Sequence, residues 1–298
     1  MSYGDPYDNR GRQMLSRIGV RMVPIVIGLL IIGFQMIRGC QQGPFGRKQV
    51  VGISGPQESA LGAQAFREVL QQSQVAPDGP QVAAVERITQ RLIKAASSDR
   101  FLQATGISPQ DFDWKLSVVR SREINAFCLP GGKMVVYTGI IPVAETDAGL
   151  ATVIGHEIGH ALAHHGAERM ATQQMAQIGM ISAGAAMGDL DPNTRVGVMR
   201  ALNAGAQFGI LKYSRKHETE ADHIGLLLMS EAGFDPAESI RFWQRMTEAS
   251  SGKGGPPEFL STHPSHETRM QDLARWMPDA KKLYDSSGAS ETPEVLPE

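Results

Sequence analysis

His156-Glu157-Ile158-Gly159-His160 sets two imidazoles and a carboxylate into an otherwise apolar run, ATVIGHEIGHALAHHG, from Ala151 to Gly166. On a helix, histidines four apart lie about 40° from each other around the axis and point the same way, one turn apart. Two neutral imidazole nitrogens so placed can hold one Zn2+ at about 2.0–2.1 Å. Glu157 is displaced by about 100°. It can reach a water beside the metal without binding the metal itself, which makes it the candidate general base. Ala151, Val153, Ile154, Ile158 and Leu162 surround these groups, and apolar surroundings make unpartnered imidazoles costly. A metal ion supplies the missing partner.

About one chain in a hundred of this composition carries HExxH by chance, so the pattern needs a third ligand. A catalytic zinc takes three protein ligands and keeps a position open for water. Downstream, Tyr213-Ser-Arg-Lys-His-Glu218-Thr-Glu220-Ala-Asp222 offers carboxylates in a helical context. Glu218 and Asp222 are four apart and share a face. Glu218 can be the third ligand. Asp222 can accept a hydrogen bond from the outer nitrogen of a ligand histidine and fix its tautomer. A solvated charged face is the alternative reading of these acids, and the HExxH upstream weighs against it.

Taken together, HEIGHALAHHGAER and the later SRKHETEAD resemble the HtpX, BepA, Oma-type and CAAX prenyl protease family of membrane-associated zinc metallopeptidases. NAFCLPGGKMVVYTG before them and THPSHETR after them are similar to further motifs of that family, in the same order. The resemblance covers about Glu58 to Ala274. It implies a gluzincin-type site with one Zn2+ on His156, His160 and Glu218, and Asp222 behind them. Glu220 is then not a ligand. His165 matches a family histidine, but nine positions from His156 it falls on the opposite side of an ideal helix and reads as structural. His164 lies nearer the metal face and reads as a supporting group at most, while His217 and His223 read as surface or packing residues. His263, in the HP motif, matches a histidine that in some relatives approaches the zinc and blocks the water position; a structural turn is the alternative. Arg269 matches a family arginine close to the site, where it would hydrogen-bond substrate or hold the carboxylates.

The elements that must position these groups follow from periodicity. Glu58–Gln72 and Pro80–Ala96 read as helices, the second with a stripe of Val82, Val85, Ile88 and Leu92. Ser97–Gln110 reads as a loop with a short turn. Trp114–Arg120, Glu123–Cys128 and Lys133–Thr138 alternate as strands around the turn Leu129-Pro-Gly-Gly132 and are expected to form a small antiparallel sheet. Asn125–Tyr137 would offer an edge to an extended peptide. From Ile140 the chain reads as mostly helix, with Thr146 or Asp147 capping the metal-binding helix. Ala171–Met187, rich in Ala, Met and Gly, is a helix or a flap, and Gly252–Pro257 is a loop. Cys128 reads as a small core residue.

Composition bounds the rest. The chain has 298 residues, 42% apolar, with a formal net charge of −2 and 6% aromatic residues. No basic stripe with interleaved aromatics is present, so nucleic acid is not an expected partner. Two cysteines exclude a disulfide scaffold. Arg10, Arg12, Arg17 and Arg21 precede the uncharged run Met22–Ile37, which reaches twenty residues from Ile18 if Arg21 snorkels. This reads as an uncleaved anchor with its N-terminus in the cytoplasm, which places the catalytic domain outside a bacterial-type inner membrane. Lipidation at Cys40, after Arg38-Gly39, is a rival.

The expected fold is α+β: a predominantly α-helical zincin-like metallopeptidase domain with a small antiparallel sheet, preceded by one N-terminal transmembrane helix. The expected divisions are 1–40 for the N-terminus and anchor, 41–57 for a linker, 58–280 for the metallopeptidase domain and 281–298 for an acidic disordered tail. The expected reaction is hydrolysis of peptide bonds in extended or misfolded polypeptides. In that reaction Glu157 moves the proton, and Arg269 or His263 assists at the oxyanion. A chaperone or assembly factor whose turnover is suppressed by His263 is a second reading. Another kind of metal hydrolase is a third, which the Glu218/Asp222 pair argues against.

Overall fold

In the computed structural model, residues 6–107, 112–188, 190–250, 257–263, 268–288 and 294–297 are described. The chain opens with α1 (Pro6–Gly39), followed by short strands β1 (Cys40–Gln42) and β2 (Lys48–Val50), which pair with each other. Helices α2 (Gly55–Gln71), α3 (Pro80–Ala95) and α4 (Asp99–Thr105) lead to β3 (Lys115–Val119), β4 (Ala126–Leu129) and β5 (Lys133–Tyr137). Then come α5 (Ile141–Ala144), α6 (Asp147–Leu162), α7 (His165–Ala186), α8 (Pro192–Glu231), α9 (Ala237–Ser250), α10 (Glu258–Thr262) and α11 (Arg269–Ser286).

The residues divide into two compact units. One comprises Met1–Gln41, Val50–Gly52 and Glu168–Tyr213. Among the described residues it holds the one helical segment, Gly19–Gly39, that is long and apolar enough to cross a membrane. Inside this unit α1 lies close against α7, since a Cβ on Gly28 would collide with Ser182.

The other unit, Gln42–Gln49, Ile53–Ala167 and Ser214–Glu298, carries the candidate chemistry. Its core is built around α6, every residue of which is buried. The Val85, Ile88 and Leu92 stripe of α3, the inner face of β5 (Met134, Val136), and Phe242 and Trp243 of α9 share that core. The fold is α+β and mostly helical, as the sequence implies. The sheet differs from expectation in direction. Its order is β3-β5-β4, with β4 antiparallel to β5 but β3 parallel to it. Alternation fixes which side chains share a face and says nothing about the direction of neighbours.

Three other expectations change. The stretch expected as a linker holds β1, β2 and the start of α2, whose N-cap Ser54 forms a capping box with Gln57. Strands of three residues, Cys-Gln-Gln and Lys-Gln-Val, are too short to show a hydrophobic period. Ser97–Gln110 contains α4, capped by Ser98 accepting from Phe101 N; residues 108–111 lie outside the described residues. The tail expected to be disordered begins inside α11, and Val295 bridges Thr146 with Leu296 buried. That ordering comes from backbone pairing to the Glu145–Asp147 turn, which tail composition does not reveal. Most of the expected Gly252–Pro257 loop, and Pro264–Glu267 of the THPSHETR motif, lie outside the described residues.

Candidate metal centre

Thr146 starts α6, its hydroxyl accepting from Gly149 N at 3.0 Å. The helix then runs through the core beside α8. Small residues permit the close approach: a Cβ on Gly225 would stand 2.8 Å from His156 N, and one on Gly159 would stand 3.0 Å from Ala221 O. Gly155 and Gly159 thus repeat four apart beside His156 and His160, while Ala221 and Gly225 repeat beside Glu218 and Asp222. Two bare helix faces meet, and the chemical side chains emerge together at their seam.

There, His156, His160, Glu218 and His263 bring one potential ligand atom each to within 4.8 Å of one another, all four side chains being buried. His156 Nε2 lies 3.1 Å from His160 Nε2 and 3.3 Å from both Glu218 Oε2 and His263 Nδ1. His160 Nε2 is 3.4 Å from Glu218 Oε1, and His263 Nδ1 is 3.1 Å from Glu218 Oε2. Ligands at 2.0–2.1 Å from one tetrahedral ion stand about 3.3 Å apart. The donor set and its spacing therefore suit a single metal ion, with His263 Nδ1 as a fourth candidate donor beside His156, His160 and Glu218.

Each histidine of HExxH is held from behind. His156 Nδ1 is 2.9 Å from Asp222 Oδ1, and Arg269 Nε donates to Asp222 Oδ2 at 2.7 Å. Arg269 also donates to Glu218 Oε2 at 3.2 Å and lies over the Trp243 ring, 3.8 Å from its centroid. It is 1% exposed, so of its two expected roles the geometry offers the one behind the carboxylates. Burial works against charge on His156, but hydrogen bonds to Asp222 and Glu218 outweigh it and hold its pKa up at about 10. Burial would raise Asp222, yet Arg269 and His156 bring it below the usual carboxylate range.

His160 is backed differently. Its Nδ1 lies 2.8 Å from Nδ1 of His165, whose Nε2 lies 2.8 Å from Glu220 Oε2. Burial lowers His160 to about 3 and lowers His165 well below the ordinary imidazole value. Both rings are therefore neutral. With a metal on His160 Nε2, its Nδ1–H donates to His165, and His165 Nε2–H donates to Glu220. The ideal-helix expectation for His165 fails because α6 ends at Leu162 and His164 takes a left-handed conformation (φ 53°), which swings His165 back toward the site. His217, 1% exposed, stacks on His165 at 4.1 Å. His164 faces away, its Nδ1 2.8 Å from Glu58 Oε2. His223 is sandwiched between Phe45 and Trp276 as a packing residue.

Glu157 is 2% exposed and sits under β4, where Cys128 N donates to its Oε2 at 3.0 Å. Its Oε1 takes no hydrogen bond among the described residues and lies 3.5 Å from His263 Nε2. Burial raises the Glu157 carboxyl above its ordinary value, with His263 and His156 pulling the other way. Burial likewise pushes the Cys128 thiol up, but Cys128 is half-buried on β4 and does not join the buried core, unlike the expected core residue. Sequence reasoning missed Arg47, whose guanidinium binds both oxygens of Glu220 at 2.7–3.0 Å. No spacing rule links it to a site 173 positions away.

The sequence model of peptidase family M48 matches residues 82–277. The chain is 33% identical over 256 residues to the mitochondrial metalloendopeptidase OMA1 of Saccharomyces cerevisiae, covering 82% of this chain and 70% of that one. Human OMA1 is 34% identical over 232 residues, 76% of this chain and 43% of its own. The beta-barrel assembly-enhancing protease of Yersinia pestis is 29% identical over 224 residues, 74% and 44% respectively.

Proposed function

The chain belongs to peptidase family M48 and is a metalloendopeptidase, and we propose that it works with one Zn2+ held by His156, His160 and Glu218. The observation that carries this reading is the convergence of their donor atoms at tetrahedral spacing in a buried seam. Bound Zn2+ would supply the Lewis acid that polarises the scissile carbonyl and lowers the pKa of water. Asp222, anchored by Arg269, keeps His156 in the tautomer that presents Nε2. Glu157 takes the proton of the attacking water on Oε1 and delivers it to the leaving amine. Its burial, which raises the carboxyl above its ordinary value, suits a group that must both accept and release a proton.

Substrate lies extended along β4, an edge strand of the sheet, by strand addition. The contact from Cys128 N to Glu157 keeps that edge over the general base. Backbone pairing selects for extended chains rather than for a sequence, which suits quality control of misfolded envelope proteins. We read the apolar segment of α1 as the span of a membrane anchor, with the arginines before it favouring the extracytoplasmic side of a bacterial-type inner membrane for residues after Cys40. We assign the metallopeptidase chemistry to the unit of Gln42–Gln49, Ile53–Ala167 and Ser214–Glu298 rather than to a continuous stretch 58–280.

His263 favours a restrained version of this enzyme. Its Nδ1 takes the corner that water needs, and its ring stacks on the fully buried Phe259, centroids 4.7 Å apart. We read this arrangement as a closed state, opened when α10 carries His263 away, so a holding role with little turnover accompanies proteolysis. Replacing His263 with alanine tests it. Cleavage of an unfolded protein rises several-fold while one zinc per chain is retained. An unchanged or lower rate with zinc retained would rule the closed state out.

A further inference from the structure

The short segment Gly43–Gln49, which directly follows the apolar helix, lies along the back of the metal-bearing turn of α8. On α8, Glu218 and Asp222 face the metal centre, while Glu220 and His223 face away from it. Phe45 stacks on His223 at 4.2 Å, and His223 stacks on Trp276 at 4.2 Å. Phe45 has a positive φ of 52°, uncommon for a bulky residue, so the backbone is held in a strained conformation to seat this ring. Two positions on, Arg47 Nε donates to Glu220 Oε1 and Oε2 at 2.9 and 3.0 Å, and its Nη2 donates to Oε2 at 2.7 Å and to Gln49 Oε1 at 3.1 Å. Gln49 is itself buried, and Glu220 is 9% exposed at its side chain.

The consequence lies in what Glu220 does next. Its Oε2 lies 2.8 Å from His165 Nε2, and with a metal on His160 Nε2 it accepts from His165, which accepts from His160 Nδ1. The centre thus has two parallel supports, each ending on an arginine: His156–Asp222–Arg269 and His160–His165–Glu220–Arg47. The first arginine is supplied by α11, inside the domain. The second comes from the segment at the exit of the apolar helix. We propose that Arg47 is a positioning residue for the metal site, so that the metallopeptidase domain holds its metal at full strength only with the Gly43–Gln49 segment docked against α8. A planar, bidentate partner fixes the Glu220 carboxylate, which fixes the His165 ring and with it the tautomer and direction of His160. This rests on the assignment of His160 as a metal ligand.

The test uses the full chain in detergent and measures Zn2+ affinity by chelator competition, together with the visible spectrum of the Co2+ form and the melting temperature of the metal-free protein. Arg47→Ala is expected to weaken Zn2+ at least tenfold and to alter the Co2+ spectrum. Arg47→Lys is expected to restore affinity only in part, because an ammonium cannot hold both oxygens in a fixed plane. Arg100→Ala is the control. Arg100 pairs with the buried Glu231 at 3.0 Å, away from the centre, and its loss should lower the melting temperature without changing affinity. If Arg47→Ala binds Zn2+ as tightly as the native chain, the proposal is wrong and the metal assignment stands. If the native chain binds no Zn2+, both fall together.

Discussion

The Nδ1 atoms of His160 and His165 lie 2.8 Å apart, so the second histidine of HExxH is backed by another histidine, which in turn meets the Glu220 carboxylate. A neutral imidazole can accept here because burial keeps His165 uncharged. Replacing His165 with alanine removes the acceptor and should weaken zinc about 10- to 100-fold. Chelator competition measures this directly. If only the melting temperature changed, His165 would be a packing residue.

Arg269 is buried against two carboxylates, and its loss would leave them uncompensated. Arg269→Met should destabilise the protein by about 3–5 kcal/mol, read as a lower melting temperature at pH 7. The pH dependence follows from Asp222, which the arginine and His156 hold below its ordinary value against burial. A depressed carboxyl contributes stability above about pH 4 that is lost as pH falls through its folded value. Arg269→Met should therefore move the acid transition to higher pH, and an unmoved transition would contradict the pairing.

Metal binding should be coupled to proton release. His156 is held up at about 10 by Asp222 and Glu218, so near neutral pH a metal must displace a proton to reach Nε2, while His160 is already neutral. Calorimetry in buffers of different ionisation enthalpy should report about one proton released per zinc, with affinity rising about tenfold per pH unit below pH 10. No release at pH 7.5 would contradict a His156 that is protonated before the metal arrives.

The seam between α6 and α8 should tolerate no added methyl group. A Cβ on Gly225 meets the backbone of Gly155 and His156 at 2.8–3.0 Å, with no flexible side chain to give way. Gly225→Ala should cost about 1–3 kcal/mol and weaken metal binding, measured by thermal unfolding with and without zinc. Gly209→Ala, with nothing within 4 Å, should do neither.

Much of this centre is legible in the sequence, because helical spacing alone aligns His156 with His160 and Glu218 with Asp222. The small residues at Gly155, Gly159, Ala221 and Gly225 record the helix contact in the same register. What spacing does not reveal depends on a break or a long loop. His165 returns to the site only because His164 turns left-handed. Arg47 arrives from the turn between two strands too short to carry a period. The parallel placement of β3 beside β5 depends on where the chain crosses, and the docked tail depends on a backbone bridge to Thr146.

The most direct test compares the native chain with Glu157→Gln on an unfolded substrate such as casein, with bound zinc quantified in both. The native chain should cleave, the variant should keep one zinc per chain, and its cleavage should fall by at least a hundredfold. Equal cleavage by a zinc-loaded Glu157→Gln variant, or a native chain that binds no zinc, would contradict this.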